Sequence, residues 1–147
     1  MYFMWLTDEQ QQIWRGYLTM ASGVQIAMHR QLQRDCGLSL ADFDVLVALS
    51  ERGPQRINDL GAVLGWEQSR VSHQLRRMRE RALVERHGTG DDRRGATVEL
   101  TDSGRAALRA AAPGHAELVR SVVFDGLTAA QLRGLASWIE LVTSRLP

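Results

Sequence analysis

The most constraining stretch of this chain is residues 68–100, where one hydrophobic period gives way to another without a linker. In 68–81, Val71, Leu75 and Met78 recur at the three- and four-residue spacing of an amphipathic helix. From Leu83 the period falls to two. Residues 83–87 read as a strand, 88–95 as a glycine-bounded loop and 96–100 as the return strand. In that return strand Ala96, Val98 and Leu100 alternate with polar Thr97 and Glu99. A helix with one apolar stripe, followed at once by a hairpin with one apolar face, must bury both against a shared core.

The pattern upstream supplies that core. Ser39 is a helix-start residue, and Phe43, Leu46, Val47 and Leu49 form the expected inner face of a helix that "RGP" (52–54) ends. Ile57 is expected to begin a short connection, and a brief helix runs through Leu60 and Val63 to a tight turn at Gly65. Short helix, turn, second helix and hairpin is the order of a winged helix-turn-helix.

Long helical patterns flank this unit. Thr7 and Gln10 form a capping box. Ile13, Trp14, Tyr17, Leu18, Ala21, Val24, Met28 and Leu32 then recur at helical spacing up to a stop at Cys36-Gly37. A helix of that length reaches about 40 Å, which suggests packing beyond its own domain. Thr101 caps a helix expected to run to about Phe124, with Pro113 as a kink, and Thr128 with Gln131 opens a last one. The fold class is therefore mainly α with a small β-hairpin wing. One domain is expected over 1–147, with the winged unit at about 39–100 and a helical region at about 7–36 and 101–146.

Composition narrows the function. The 147 residues carry a net charge of only +1, and no apolar run approaches the ~20 residues of a membrane span. A cytoplasmic location is the default. All 18 basic residues are arginine. Residues 68–79 hold four arginines and no acid, the local footprint an anionic partner needs. On a helical projection Ser69, His73 and Arg76 lie opposite the apolar stripe, flanked by Arg70, Ser72 and Arg77. With Gln68 they offer the donors and acceptors that read base edges and grip phosphates, although a solvated basic face has the same pattern.

The segment "DRRGATVELTDSG" (92–104), with "SRVSHQLRRMRERALVER" (69–86) before it, resembles the wing and recognition helix of the MarR family of bacterial transcriptional regulators. The resemblance extends weakly over both flanks, which in that family form the dimer interface. It implies a homodimer with Trp138, Ile139 and Val142 near the interface, and double-stranded DNA with a pseudo-palindromic operator as partner. Gln68, Ser69, Arg70, Ser72, His73, Arg76 and Arg77 would contact DNA, joined by Arg93 and Arg94 at the wing tip. Asp92 is expected to orient Arg94 rather than face phosphate. Two positions depart from the family pattern. Ala82 stands where glycine is usual, and a left-handed backbone there costs alanine roughly 1 kcal/mol. His73 stands where arginine is common.

The resemblance also implies a small aromatic or anionic effector. Trp14, Tyr17, Phe43 and His115 are candidates for lining its pocket, though plain core and interface packing is the favoured reading of such spacing. One cysteine, Cys36, excludes an internal disulfide, and no second thiol accompanies it. No two histidines stand at i, i+4, which leaves a zinc site only across chain segments, and neither metal nor cofactor is expected. No nucleophile motif or phosphate loop speaks for an enzyme. The alternative is a protein-interaction module on the same scaffold.

Overall fold

The computed structural model describes residues 5–88 and 95–147. Helix α1 (Asp8–Cys36) starts at the Thr7–Gln10 capping box and stops at Gly37, whose left-handed backbone (φ 65°) closes the last turn. Helix α2 (Leu40–Arg52) is capped by Ser39. It is buried almost all round: Phe43, Val45, Leu46, Ala48 and Leu49 are inside, and Val47 is half-buried. A two-residue strand, β1 (Gln55–Arg56), leads directly into α3 (Ile57–Leu64). So Ile57 opens a helix instead of a connection. Strand β1 went unforeseen because two residues carry no period.

Gly65 (φ 68°) turns the chain, and the Trp66 amide donates to the Gly61 carbonyl at 3.0 Å. Helix α4 (Gln68–Glu80) follows, one residue shorter than expected, with Arg81 beyond its end. Ala82 then takes φ 58°, the left-handed conformation foreseen for it. Strands β2 (Val84–His87) and β3 (Thr97–Leu100) each start one residue later than the sequence pattern places them. The sheet is antiparallel in the order β1-β3-β2, with Arg86 opposite Val98 and Gln55 on the other side of Val98.

Helix α5 (Asp102–Val119) is capped by Thr101 and stays helical past Pro113. It does not reach Phe124 as a plain α-helix, since residues Arg120–Phe124 wind as a π-helical turn. The irregular winding thus lies C-terminal to the proline. Helix α6 (Ala129–Arg145) begins at the Thr128–Gln131 capping box and buries no residue. Among the described residues no helix is long and apolar enough to cross a membrane.

The core sits between α2, α3, α4, the sheet and the C-terminal end of α1. Leu32, Leu46, Leu60, Val71, Met78 and Val98 are at most 1% exposed. Each such side chain contributes about 1.5–3 kcal/mol by leaving water. One junction locks helix α5 to the wing. The Thr101 hydroxyl donates to the Ala82 carbonyl at 2.6 Å and accepts from the Gly104 amide at 2.9 Å. The Thr101 amide donates to the Leu83 carbonyl at 3.2 Å. A Cβ on Gly104 would lie 2.1 Å from that carbonyl oxygen, so only glycine fits. The spacing Leu100-Thr101-x-x-Gly104 therefore has a packing reason: buried apolar anchor, cap and close approach.

Candidate nucleic-acid interface

Helix α4 divides by face as the projection predicts. Val71, Leu75 and Met78 are at most 2% exposed, and they dock the helix on the core. Gln68, Ser69, Arg70, Ser72, His73, Arg76 and Arg77 are all exposed. The structure thus brings these seven together on one solvent-facing surface, four of them basic or imidazole-bearing. A helix of this diameter, about 10–12 Å, matches the width of a DNA major groove.

Two of the arginines are held in place. The Arg70 guanidinium lies 4.1 Å from the centre of the Trp66 ring, a cation–π contact. Trp66 is half-buried against the core, so its ring is a fixed support at the entry of α4. Arg77 donates to Gln74 Oε1 at 3.2 Å, and Gln74 Nε2 donates to Asp42 Oδ1 at 2.6 Å. Asp42 Oδ2 also accepts from Arg81 at 2.7 Å and from the Ser39 amide at 2.9 Å. Arg81 reaches on to the Gly37 carbonyl at 3.0 Å. Burial raises the Asp42 carboxyl's pKa, but the Ser39 amide and Arg81 outweigh it and hold the value below the ordinary range. This chain of bonds ties the base of the exposed helix to α2 and to the end of α1.

Asp42, Gln74, Arg81 and Trp66 escaped the sequence reading. Two signals were available. Ser39-x-x-Asp42 is a capping-box spacing, and Gln74 is a polar residue inside an apolar stripe. Beside α4, a groove of about 470 Å³ separates it from the sheet, with Gln68, Ser72, Arg79 and Arg86 among its lining residues. Arg79 and Arg86 extend the positive surface toward the wing. The wing-tip residues Asp92, Arg93 and Arg94 lie outside the described residues.

The four aromatic candidates fall into two groups. The Phe43 and His115 rings meet at a tilt of 36°, with centres 4.3 Å apart. Trp14 stacks on Tyr17 at 5.6 Å, and Tyr17 meets Trp138 edge-on at 5.5 Å. A cavity of about 640 Å³ is lined by His115, Val119, Arg120, Phe124 and Leu132, among others, and of the four candidates includes His115 alone. Within one subunit, Tyr17 faces Trp138 of α6 and Phe43 packs in the core. Burial lowers the pKa of His115, against the pull of Asp44, and among the described residues its Nδ1 is buried without a hydrogen-bond partner. Burial raises the pKa of Asp44, partly offset by His115 and Arg70.

The flanks expose apolar surface. Ile13, Leu18, Met20, Val122, Phe124, Trp138 and Ile139 are all exposed, and Val142 is half-buried.

Known proteins share this arrangement. The pattern of the MarR family matches residues 37–95. The chain is similar to Sco3205, a MarR family transcriptional regulator from Streptomyces coelicolor crystallised with DNA. Identity is 37%, covering 97% of this chain and 91% of that one, with a TM-score of 0.88. AbsC, a MarR family regulator from the same organism, is 34% identical over 95% of each chain, with a TM-score of 0.86. BpsR of Bordetella bronchiseptica, whose DNA binding is regulated by 6-hydroxynicotinic acid, is 25% identical over 90% of this chain and 98% of that one, with a TM-score of 0.78.

Proposed function

The chain belongs to the MarR family of transcriptional regulators, and from that premise we propose that it acts as a homodimeric repressor on a pseudo-palindromic operator. It is a DNA-binding transcriptional regulator and not an enzyme. The observation that carries the finer reading is the partition of α4, with Val71, Leu75 and Met78 buried and Gln68, Ser69, His73 and Arg76 exposed. Each subunit would place α4 in a major groove and the wing against the flanking minor groove. Two half-sites would then stand about one helical turn apart. A dimer on such a site within a promoter would compete with polymerase. The apolar faces of α1, α6 and the π-helical turn support the homodimer, because water-exposed Ile13, Trp138 and Ile139 gain by mutual burial. Work on chromosomal DNA implies the cytoplasm.

Within the DNA-contacting set, His73 reads a base and Arg77 grips phosphate. Arg93 and Arg94 would enter the minor groove, with Asp92 orienting Arg94. A small aromatic acid is the effector class that suits the cavity beside His115 and Arg120. It offers apolar walls in Phe124 and Leu132 and the guanidinium of Arg120, which also pairs with Glu117. By binding one spacing of the two α4 helices better than the other, it would change DNA affinity.

Selection from random duplex DNA, followed by gel shift with variants, tests the reading. His73→Ala should relax the preference at one base pair, at a cost of about 1–3 kcal/mol. Arg77→Ala should weaken all sequences alike and reduce the salt slope by about 1. Failure to enrich a pseudo-palindrome, or enrichment unaffected by His73→Ala, would overturn the assignment of α4.

A further inference from the structure

At the stem of the wing, the register sets Glu85 directly opposite Glu99, and His87 follows Glu85 two residues on. Val84, Val98 and Leu100 are buried, so the alternation of a strand turns Glu85, His87 and Glu99 to the same outer face. Two directly opposed carboxylates repel each other. His87 Nε2 stands between them, 2.7 Å from Glu99 Oε1 and 3.4 Å from Glu85 Oε1. One donor atom from each of the three residues falls within 4.8 Å of the others.

We propose that Glu85, His87 and Glu99 form a surface site for a divalent transition ion of the zinc type, with its remaining position open to water. The donor set carries the choice of ion. One imidazole and two carboxylates suit a borderline cation such as Zn²⁺, whereas Mg²⁺ and Ca²⁺ favour oxygen alone. The geometry fits as well. Tetrahedral donors at about 2.0–2.1 Å from a zinc ion stand roughly 3.4 Å apart. The His87–Glu85 spacing already has that value, the shorter His87–Glu99 contact would have to open to it, and the two carboxylates stand within 4.8 Å of each other. The ladder between β2 and β3 holds the three backbones in register beforehand. Two carboxylates balance the ion's two charges. Arg105, which lines a cavity with Glu99, is the opposing charge and limits the affinity. An ion here would join the two strands that carry residues 89–94.

The test titrates the full chain with ZnCl₂ against a chromophoric zinc indicator in a non-chelating buffer. One equivalent per chain should bind, and excess Mg²⁺ should not displace it. His87→Ala and Glu99→Gln should weaken that equivalent at least about tenfold, whereas Cys36→Ala should leave it in place. Circular dichroism without metal checks that each variant folds. In the wild-type chain, the His87 imidazole resonances should shift on addition of Zn²⁺, a readout that needs no variant. Absence of binding, survival of the equivalent in both site variants, its loss in Cys36→Ala, or unshifted His87 resonances would each overturn the proposal. Zinc binding is read without DNA, so its failure leaves the operator reading untouched.

Discussion

The winged unit and the helical flanks are both rich in apolar residues, yet they use them in opposite ways. In the unit built from α2, α3, α4 and the sheet, Leu46, Leu60, Val71 and Met78 are fully buried within one chain. On α1 and α6, Ile13 is 62% exposed and Ile139 50% exposed. Helix α1, 29 residues long, buries only Gln31 and Leu32, near its C-terminal end. A helix of that length gains little from its own propensity and most from tertiary contact. The first region therefore carries the stability of the single chain. The second carries an apolar stripe that stays exposed on the single chain. The same periodicity reads identically in both, so burial within the subunit cannot be inferred from period alone.

The sharpest way to break this comparison is a pair of truncations. Leu46→Ala should destabilise the chain by about 2–5 kcal/mol in denaturant unfolding, because it empties a closed core. Ile139→Ala should change the unfolding of the isolated chain by no more than about 0.5 kcal/mol, as at an ordinary surface site. It should instead weaken self-association in sedimentation equilibrium. Equal losses in unfolding for the two would erase the distinction.

Gly104→Ala is the next largest effect. The added methyl meets a backbone carbonyl rather than a movable side chain, so about 1–3 kcal/mol should be lost in thermal unfolding. Because the clash lies where α5 joins the wing, amide exchange in β2 and β3 should accelerate with it. Unchanged exchange there would mean that α5 and the sheet are not coupled through this contact.

Ala82→Gly acts in the other direction. At φ 58° glycine lacks the steric penalty of alanine, and the variant should gain up to about 1 kcal/mol. That figure is reduced by glycine's larger unfolded-state freedom. A clear loss on Ala82→Gly would show that the alanine methyl contributes packing that outweighs the strain.

The smallest effect concerns acid. The folded-state pKa of Asp42 is depressed, so its contribution is present above the unfolded carboxyl value and is lost as pH falls through the lower folded one. Asp42→Asn should therefore flatten the loss of stability below about pH 4, the ordinary carboxyl range. The affinity for DNA near neutral pH should fall as well, because Gln74 and Arg77 lose their anchor. An unchanged acid slope would mean that other carboxylates dominate it.

Much of the architecture was legible in residues close together in sequence. Two capping boxes, the Ser39 cap, the stops at Gly37 and Gly65 and the two faces of α4 follow from spacings of four residues or fewer, whereas the left-handed Ala82 was an expectation from the family resemblance. Such features depend on local backbone geometry, which the sequence determines by itself. Tertiary structure decided the rest. The Asp42–Gln74 and Asp42–Arg81 bonds join residues 32 and 39 positions apart. The Glu85–His87–Glu99 cluster exists only once the strand register is set, since a one-residue slip would turn Glu99 to the core. Tyr17 meets Trp138 across most of the chain, which parted it from Phe43 and His115. The physical reason is common to these cases. A period tells which way a side chain points from its own element, whereas its partner depends on how separate elements dock, and docking is settled by the packing of the whole core.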